Sequence, residues 1–238
     1  MARTLALIHT SPTLTPLFGR LCSDLIPAAN IFHMVDESLI KDTVREGHLR
    51  RITIRRLLSM IESAQEAGAD AVLVTCSSIG EGVELGQKLF DIHVVRVDEA
   101  MARKAVCIGR KIGVMATLRT TLEPTSALLR AKAAEAGIQI ELVESQCDGA
   151  FEAVLSGDQA THDRILTEAL KNDMQGVDVV VLAQASMAGV LNSMPPGTLS
   201  MPVLTSPELG VLAAKDILQG LDHRSRTAVS SNGQQVAR

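Results

Sequence analysis

One segment of the chain is a near copy of another, and this limits the fold more than any other feature. "GADAVLVTCSSI" (68–79) lies without a gap over "GVDVVVLAQASM" (176–187). Gly68 meets Gly176, Asp70 meets Asp178, Val72 meets Val180 and Ser78 meets Ser186, while Cys76 falls on Gln184. Likewise "LALIHTSPT" (5–13) lies over "IGVMATLRT" (112–120), pairing Thr10 with Thr117 and Thr13 with Thr120. Two weaker pairs, "IFHMVDE" with "IQIELVE" and "VVRVDEA" with "VLTSPEL", keep nearly the same spacing. Four similarities in one order point to a duplicated unit.

Each half reads as four strand–helix units. Short Val/Ile/Leu runs mark strands near 4–9, 30–36, 71–75 and 93–97, then 111–116, 138–143, 178–183 and 201–205. Between them, Ile52, Leu57, Leu58, Ile61 and Ala64 recur at helical spacing until Gly68, and Ile165, Leu166, Ala169 and Leu170 do the same in 161–172. Strands without polar alternation, separated by helices, imply a parallel sheet covered on both faces. The expected fold is α/β, with two similar doubly wound parallel-sheet domains. The first takes residues 1–100 plus 206–238, whose helix near 206–220 returns to it, and the second takes 101–205.

Composition narrows the function. The 238 residues are 46% hydrophobic and 21% charged with a net charge of −4, which suits a globular protein with real cores. No Lys/Arg cluster stands out, and Trp and Tyr are absent, so neither phosphate neutralisation nor base stacking is provided for; nucleic acid is not an expected partner. No run approaches the roughly 20 apolar residues of a membrane span. "MARTLALIHTSP" is too short for a secretory signal and reads as a first strand. Cys22, Cys76, Cys107 and Cys147 are scattered without C-x-x-C spacing, which suits a reducing, cytoplasmic setting without disulfides.

Parallel α/β sheets bind ligands at the carboxyl ends of their strands. Cys76 sits at such an end, just before a helix. Ser78-Ile79-Gly80-Glu81 fits a capping box with Ser78 as N-cap. A thiol beside a helix N-terminus feels the positive end of the dipole, which favours thiolate, and the free N–H groups with Ser77 and Ser78 suit a carboxylate. Cys22, Cys107 and Cys147 lack this setting and read as packing residues.

"VLVTCSS", "IGVMATLRTT" and "VVVLAQAS", in this order and spacing, resemble the aspartate/glutamate/hydantoin racemase superfamily, which also includes maleate isomerases and arylmalonate decarboxylases. The resemblance covers most of the chain. It implies two α/β domains related by a pseudo-twofold axis, an active site in the cleft between them, and catalysis with no metal or organic cofactor. In the racemases of that superfamily one cysteine from each domain faces the substrate's α-carbon. Here Gln184 stands where the second cysteine belongs, and an amide has no proton to exchange near neutral pH.

The expected catalytic groups are therefore Cys76 and, as a second acid/base at the end of the first strand, His9. The expected substrate contacts are Thr10, Ser11, Ser77, Ser78, Thr117, Thr120, Thr121, Gln184, Ala185 and Ser186. Each has a plainer reading: a packed cysteine, a histidine bonded to a loop, hydroxyls that cap helices. Asp36 and Glu37, and Ser206 and Glu208, end strands and could meet a substrate hydroxyl or ammonium, or simply begin helices. No metal is expected, since His33, His48, His93, His162 and His223 show no ligand spacing. Nucleotide cofactors are not expected either, because G-x-G-x-x-G and a Walker lysine are missing.

The preferred function is a cofactor-independent isomerase or racemase acting on a small carboxylate with a single cysteine. Two alternatives are a decarboxylase of the arylmalonate type and a non-catalytic cytoplasmic small-acid binding protein. A depressed Cys76 pKa marks the enzyme and a sluggish thiol the binding protein. A homodimer or higher homo-oligomer is the expected assembly, since closed twofold assemblies are the commonest.

Overall fold

The structure, a computed structural model, describes residues 2–195 and 197–233, with side chains of the last helix described as far as Asp222. Two four-stranded parallel sheets form its frame. β1 (Thr4–His9), β2 (Asn30–Val35), β3 (Ala71–Val74) and β4 (His93–Arg96) lie in the order β2-β1-β3-β4. β5 (Lys111–Ala116), β6 (Glu141–Gln146), β7 (Val179–Leu182) and β8 (Val203–Thr205) lie in the order β6-β5-β7-β8. The chain runs outward from β1 to β2, then crosses back to β3. The switch points of the two sheets thus lie between β1 and β3 and between β5 and β7, where α/β sheets open a crevice.

The helices are α1 (Thr15–Leu25), α2 (Glu37–Glu46), α3 (Arg51–Glu66), α4 (Gly80–Leu89) and α5 (Glu99–Ile108) in the first half, then α6 (Arg119–Glu135), α7 (Ala150–Leu155), α8 (Gln159–Asn172) and α9 (Ser206–Gly233). Side chains alternate across each strand. Leu5 and Leu7 therefore face Phe18 and Cys22 of α1, while Ala6 and Ile8 face Leu57 and Ile61 of α3. Full burial of each Leu or Ile contributes about 1.5–3 kcal/mol, which is why every strand is held on both faces. Val211, Ala214 and Leu218 of α9 join the Leu5–Leu7 cluster, so the last helix does return to the first sheet.

The repeated "G-x-D" has a mechanical meaning. Gly68 and Gly176 have φ of 86° and 70°, the left-handed turn that brings the chain from a helix into β3 or β7. Two residues on, Asp70 accepts the Thr4 N–H at 2.7 Å and Asp178 accepts the Lys111 N–H at 2.9 Å. Each aspartate thereby ties the start of its sheet's first strand to the start of its third.

Three expectations need correction. The sixth strand begins at Glu141, not 138, because Ile138 and Ile140 pack against the core from the irregular segment before it and the polar end "ESQ" completes an edge strand. Ile52 is 40% exposed, and Thr53 takes the buried position beside it. Cys107 is exposed at the end of α5 rather than packed, while Cys22 and Cys147 are buried and their thiols are pushed up to about 11 by loss of water.

The two halves meet at Arg96, which is buried at the end of β4. Its guanidinium donates to Asp98 at 2.7 and 3.1 Å, to Glu84 at 2.6 Å, and to the Pro124 carbonyl of α6 at 3.2 Å. The group lies against Gly80, where an added Cβ would come 2.2 Å from the guanidinium carbon. No described helix is long and apolar enough to cross a membrane.

Candidate active site

Cys76 closes the first switch point. β3 ends in an extended residue at Cys76 (φ −124°, ψ 116°), and 77–79 form one 3₁₀ turn before α4. The N–H groups of Ser78 and Ile79 in this turn and the hydroxyls of Thr10 and Ser78 lie near enough to the sulfur to favour its thiolate. The residue is half-buried. The loss of water around the sulfur outweighs its four donors, and the thiol is pushed up from its ordinary value. The expected lowering is therefore reversed: at neutral pH Cys76 holds its proton, with four groups ready to receive the charge once that proton leaves.

Ser78 is not a helix cap. The N-cap of α4 is Ile79, with no side-chain bond. The Ser78 hydroxyl instead meets Thr121 Oγ1 of the second half at 2.7 Å, and both residues are buried. These two expected substrate contacts thus hold one another and join the halves. Ser77 is buried beside them, and Ser11 bonds Thr13 at 2.8 Å.

His9 is fully buried, with both ring nitrogens engaged. Thr75 Oγ1 donates to the Ile8 carbonyl at 3.1 Å, so it accepts from His9 Nδ1–H at 2.9 Å. His9 Nε2 then accepts from His33 Nδ1–H at 2.8 Å. Burial and the neighbouring His33 depress the His9 pKa to about 4. At neutral pH the histidine is a neutral link in a chain of hydrogen bonds from Thr75 to His33.

The second switch point repeats the first with one side chain exchanged. Gln184 Oε1 accepts from the Thr117 N–H at 2.6 Å and from Thr117 Oγ1 at 3.0 Å. Thr10 beside Cys76 and Thr117 beside Gln184 are thus the same contact in two halves. Thr117, an expected substrate contact, has both its N–H and its hydroxyl engaged by Gln184. Ala185 is buried in the first half's Leu5–Leu7 cluster, and Ser186 is exposed. Thr120 Oγ1 is buried without a hydrogen-bond partner. It lines a cavity of about 510 Å³ with Ser78, Arg96, Glu84, His48 and Leu49. Neither Cys76 nor Gln184 lines that cavity.

The other strand-end residues have structural employment. Asp36 caps α2 through the Ser38 N–H at 3.0 Å and pairs with Arg56 at 2.6 Å. Glu37 pairs with Lys41 on the α2 surface at 3.5 Å. Ser206 opens α9 from a buried position, and Glu208 is exposed in its first turn. Among the described residues no group of three or more His, Cys, Asp or Glu side chains is placed to hold a metal ion. The side chain of His223 lies outside the described residues.

Three contributors escaped the sequence reading: His33, Thr75 and the Arg96–Asp98 pair. A lone arginine inside the apolar run "VVRV" was the one visible sign of the last.

A family model for Asp/Glu/Hydantoin racemase matches residues 7–214. The chain belongs to that family. It is accordingly an enzyme of the isomerase/racemase type. No curated protein matches its sequence. Among solved structures, glutamate racemase RacE1 from Bacillus anthracis is similar at TM-score 0.69 and 17% identity, over 92% of this chain and 82% of that one. Allantoin racemase from Klebsiella pneumoniae gives 0.66 and 18%, over 92% and 88%. Aspartate racemase from Picrophilus torridus gives 0.66 and 14%, over 91% and 94%. At these identities the likeness is one of fold, and it extends across both sheets.

Proposed function

We propose that this racemase-family protein is a cofactor-independent enzyme that acts on a small carboxylate with Cys76 as its single working thiol. The observation that carries the reading is the place of Cys76 at the carboxyl end of β3, at the switch point of the first sheet, with the hydroxyls of Thr10 and Ser78 and the N–H groups of Ser78 and Ile79 near enough to favour its thiolate. In isomerisation the Cys76 thiol first gives its proton to solvent, the thiolate then takes the α-proton of the substrate, and a solvent proton returns to the carbanion so formed. The thiolate is received by the Thr10 and Ser78 hydroxyls and two main-chain N–H groups. Such prearranged donors are worth far more inside a site than in water. The raised thiol is the sign expected of the small-acid binding protein and argues against a resting thiolate nucleophile; in an enzyme it suits a proton donor.

Isomerisation of the racemase type is the first reading. One observation favours a second, decarboxylation of the arylmalonate type. The thiol is protonated and Gln184 cannot remove a proton, so a carbanion left by departing carbon dioxide would be protonated from the Cys76 side alone. We also propose the division into residues 1–100 with 206–238 and residues 101–205, of which 234–238 lie outside the described residues. A cytoplasmic location is supported by four cysteines that are all free.

A panel of small carboxylic acids incubated in deuterated water, with wild type and Cys76→Ala, tests the function. Carbon-bound deuterium, a changed geometric isomer or a changed configuration that requires Cys76 supports isomerase chemistry. Carbon dioxide that requires Cys76 establishes the second reading. Binding without any turnover would overturn both and leave a small-acid binding protein.

A further inference from the structure

The orientation of the Gln184 carboxamide follows from its neighbour. A main-chain N–H can only donate, so the atom 2.6 Å from Thr117 N is the amide oxygen. The Thr117 hydroxyl adds a second bond to the same oxygen at 3.0 Å. The oxygen is thus spent on its own half, and the NH₂ end is left to serve a ligand. That end donates only. It takes a carboxylate or carbonyl oxygen and has nothing to offer an ammonium.

Among the described residues, the carboxylates and several carbonyls that could serve an ammonium near the switch points are already engaged. Asp36 is held by Ser38 and Arg56, Asp98 by Arg96, and Glu99 by Lys132 and Arg103. Asp148 accepts from Gln146 at 2.7 Å. The carbonyls of Ile8 and His9 accept from Thr75 N and Asp36 N, and those of Met115 and Ala116 from Ala183 N and Cys147 N. Glu81 and Glu208, the other carboxylates that follow the strand ends β3 and β8, are exposed. The hydroxyls present are neutral, and burying an ammonium against neutral groups alone is costly.

We infer that the substrate is a carboxylate without an amino group, and that Gln184, positioned by Thr117, selects it by donating from Nε2 to one of its oxygens. This rests on the proposed carboxylate chemistry and names its substrate class. Thr117 is the positioning residue; Gln184 touches the substrate.

Succinate, malate and the two aspartate enantiomers share one skeleton and differ at a single substituent, which makes them the probes. Their binding to the full chain is measured by titration calorimetry. Succinate and malate are expected to bind at least about tenfold more tightly than either aspartate, a difference of about 1.4 kcal/mol. In Gln184→Glu the Thr117 bonds can persist while the outward donor becomes an acceptor. Malate binding should weaken about tenfold and the preference over aspartate should vanish. Should that variant fail to fold, Gln184→Met removes the NH₂ without adding a charge, and malate binding should fall without any gain for aspartate. Retention of malate binding in the folded variant used would overturn the role of Gln184.

Equal or tighter binding of aspartate by the wild type would overturn the substrate class. If aspartate is also deuterated at its α-carbon in a Cys76-dependent manner, the carboxylate enzyme stands and only this inference falls. If none of the four probes binds, the inference falls, and the deuterium panel with Cys76→Ala decides the broader function separately.

Discussion

The carboxyl ends of β3 and β7 occupy matching places in their sheets, and each leads into a 3₁₀ segment. Each receives a threonine from the neighbouring first strand, Thr10 at Cys76 and Thr117 at Gln184. At Cys76 the donors converge on an atom that can take and give a proton. At Gln184 they converge on an amide oxygen, which leaves the NH₂ of the side chain as the group not engaged by Thr117. On the proposed reading, one scaffold supports proton chemistry on one side and anion holding on the other. The contrast teaches that a duplicated site need not stay symmetrical for its supporting contacts to persist.

The strongest way to break this contrast is Cys76→Ser. Turnover is expected to fall by about 10³-fold or more, because a serine hydroxyl is a far weaker acid than a thiol. Carboxylate binding, measured by calorimetry, should survive. Residual activity above about a tenth would mean that proton chemistry does not reside in the first half.

Arg96 comes next. Its register partner on β3 is Val74, while the matching place on β8, opposite Leu182, holds Thr205, so only the first half carries a buried charge here. Arg96→Met leaves Asp98 buried and unpaired, and chemical denaturation should show a loss of about 3 kcal/mol. Restoring the symmetry with Gln184→Cys should raise Cys76-dependent α-deuteration of the substrate by about tenfold. No increase would mean that position 184 does not face the reacting carbon.

Thr121→Val deletes the Ser78–Thr121 bond between the halves. It should cost about 1 kcal/mol in denaturant unfolding.

A further effect, on pH dependence, belongs to the first half, since Ala116 ends β5 where His9 ends β1. His9 falls from 6.5 to about 4 on folding. The unfolded chain binds the extra proton between these values, so its contribution to stability is complete above about 6.5 and is lost as pH falls toward about 4. His33 shifts in the same direction through burial. Denaturant midpoints measured from pH 7 to pH 4.5 should decline less in His9→Gln than in the wild type.

Most of the fold was legible because the duplicated glycine–aspartate turns and apolar runs act locally. The sixth strand was not, since Ile138 and Ile140 satisfy a strand pattern while packing against the core from the irregular segment before it. Cys76 was legible from its place at a strand end. The sign of its pKa shift was not, because that depends on how much water its surroundings exclude, and burial outweighs the groups that favour its thiolate. Ser78 matched a capping pattern, yet its hydroxyl serves Thr121, 43 residues away. Gln184 was visible as an exchange for cysteine. Which of its amide ends is free depends on Thr117, 67 residues earlier.

The guanidinium packed over Gly80 sets a rule for how this chain can vary. Any side chain at position 80 would evict a group held by Asp98, Glu84 and a helix carbonyl, so that glycine is protected by an arginine sixteen residues downstream. The two codons are bound to drift together, and homologues that lose the arginine should be the ones in which the glycine has also been released.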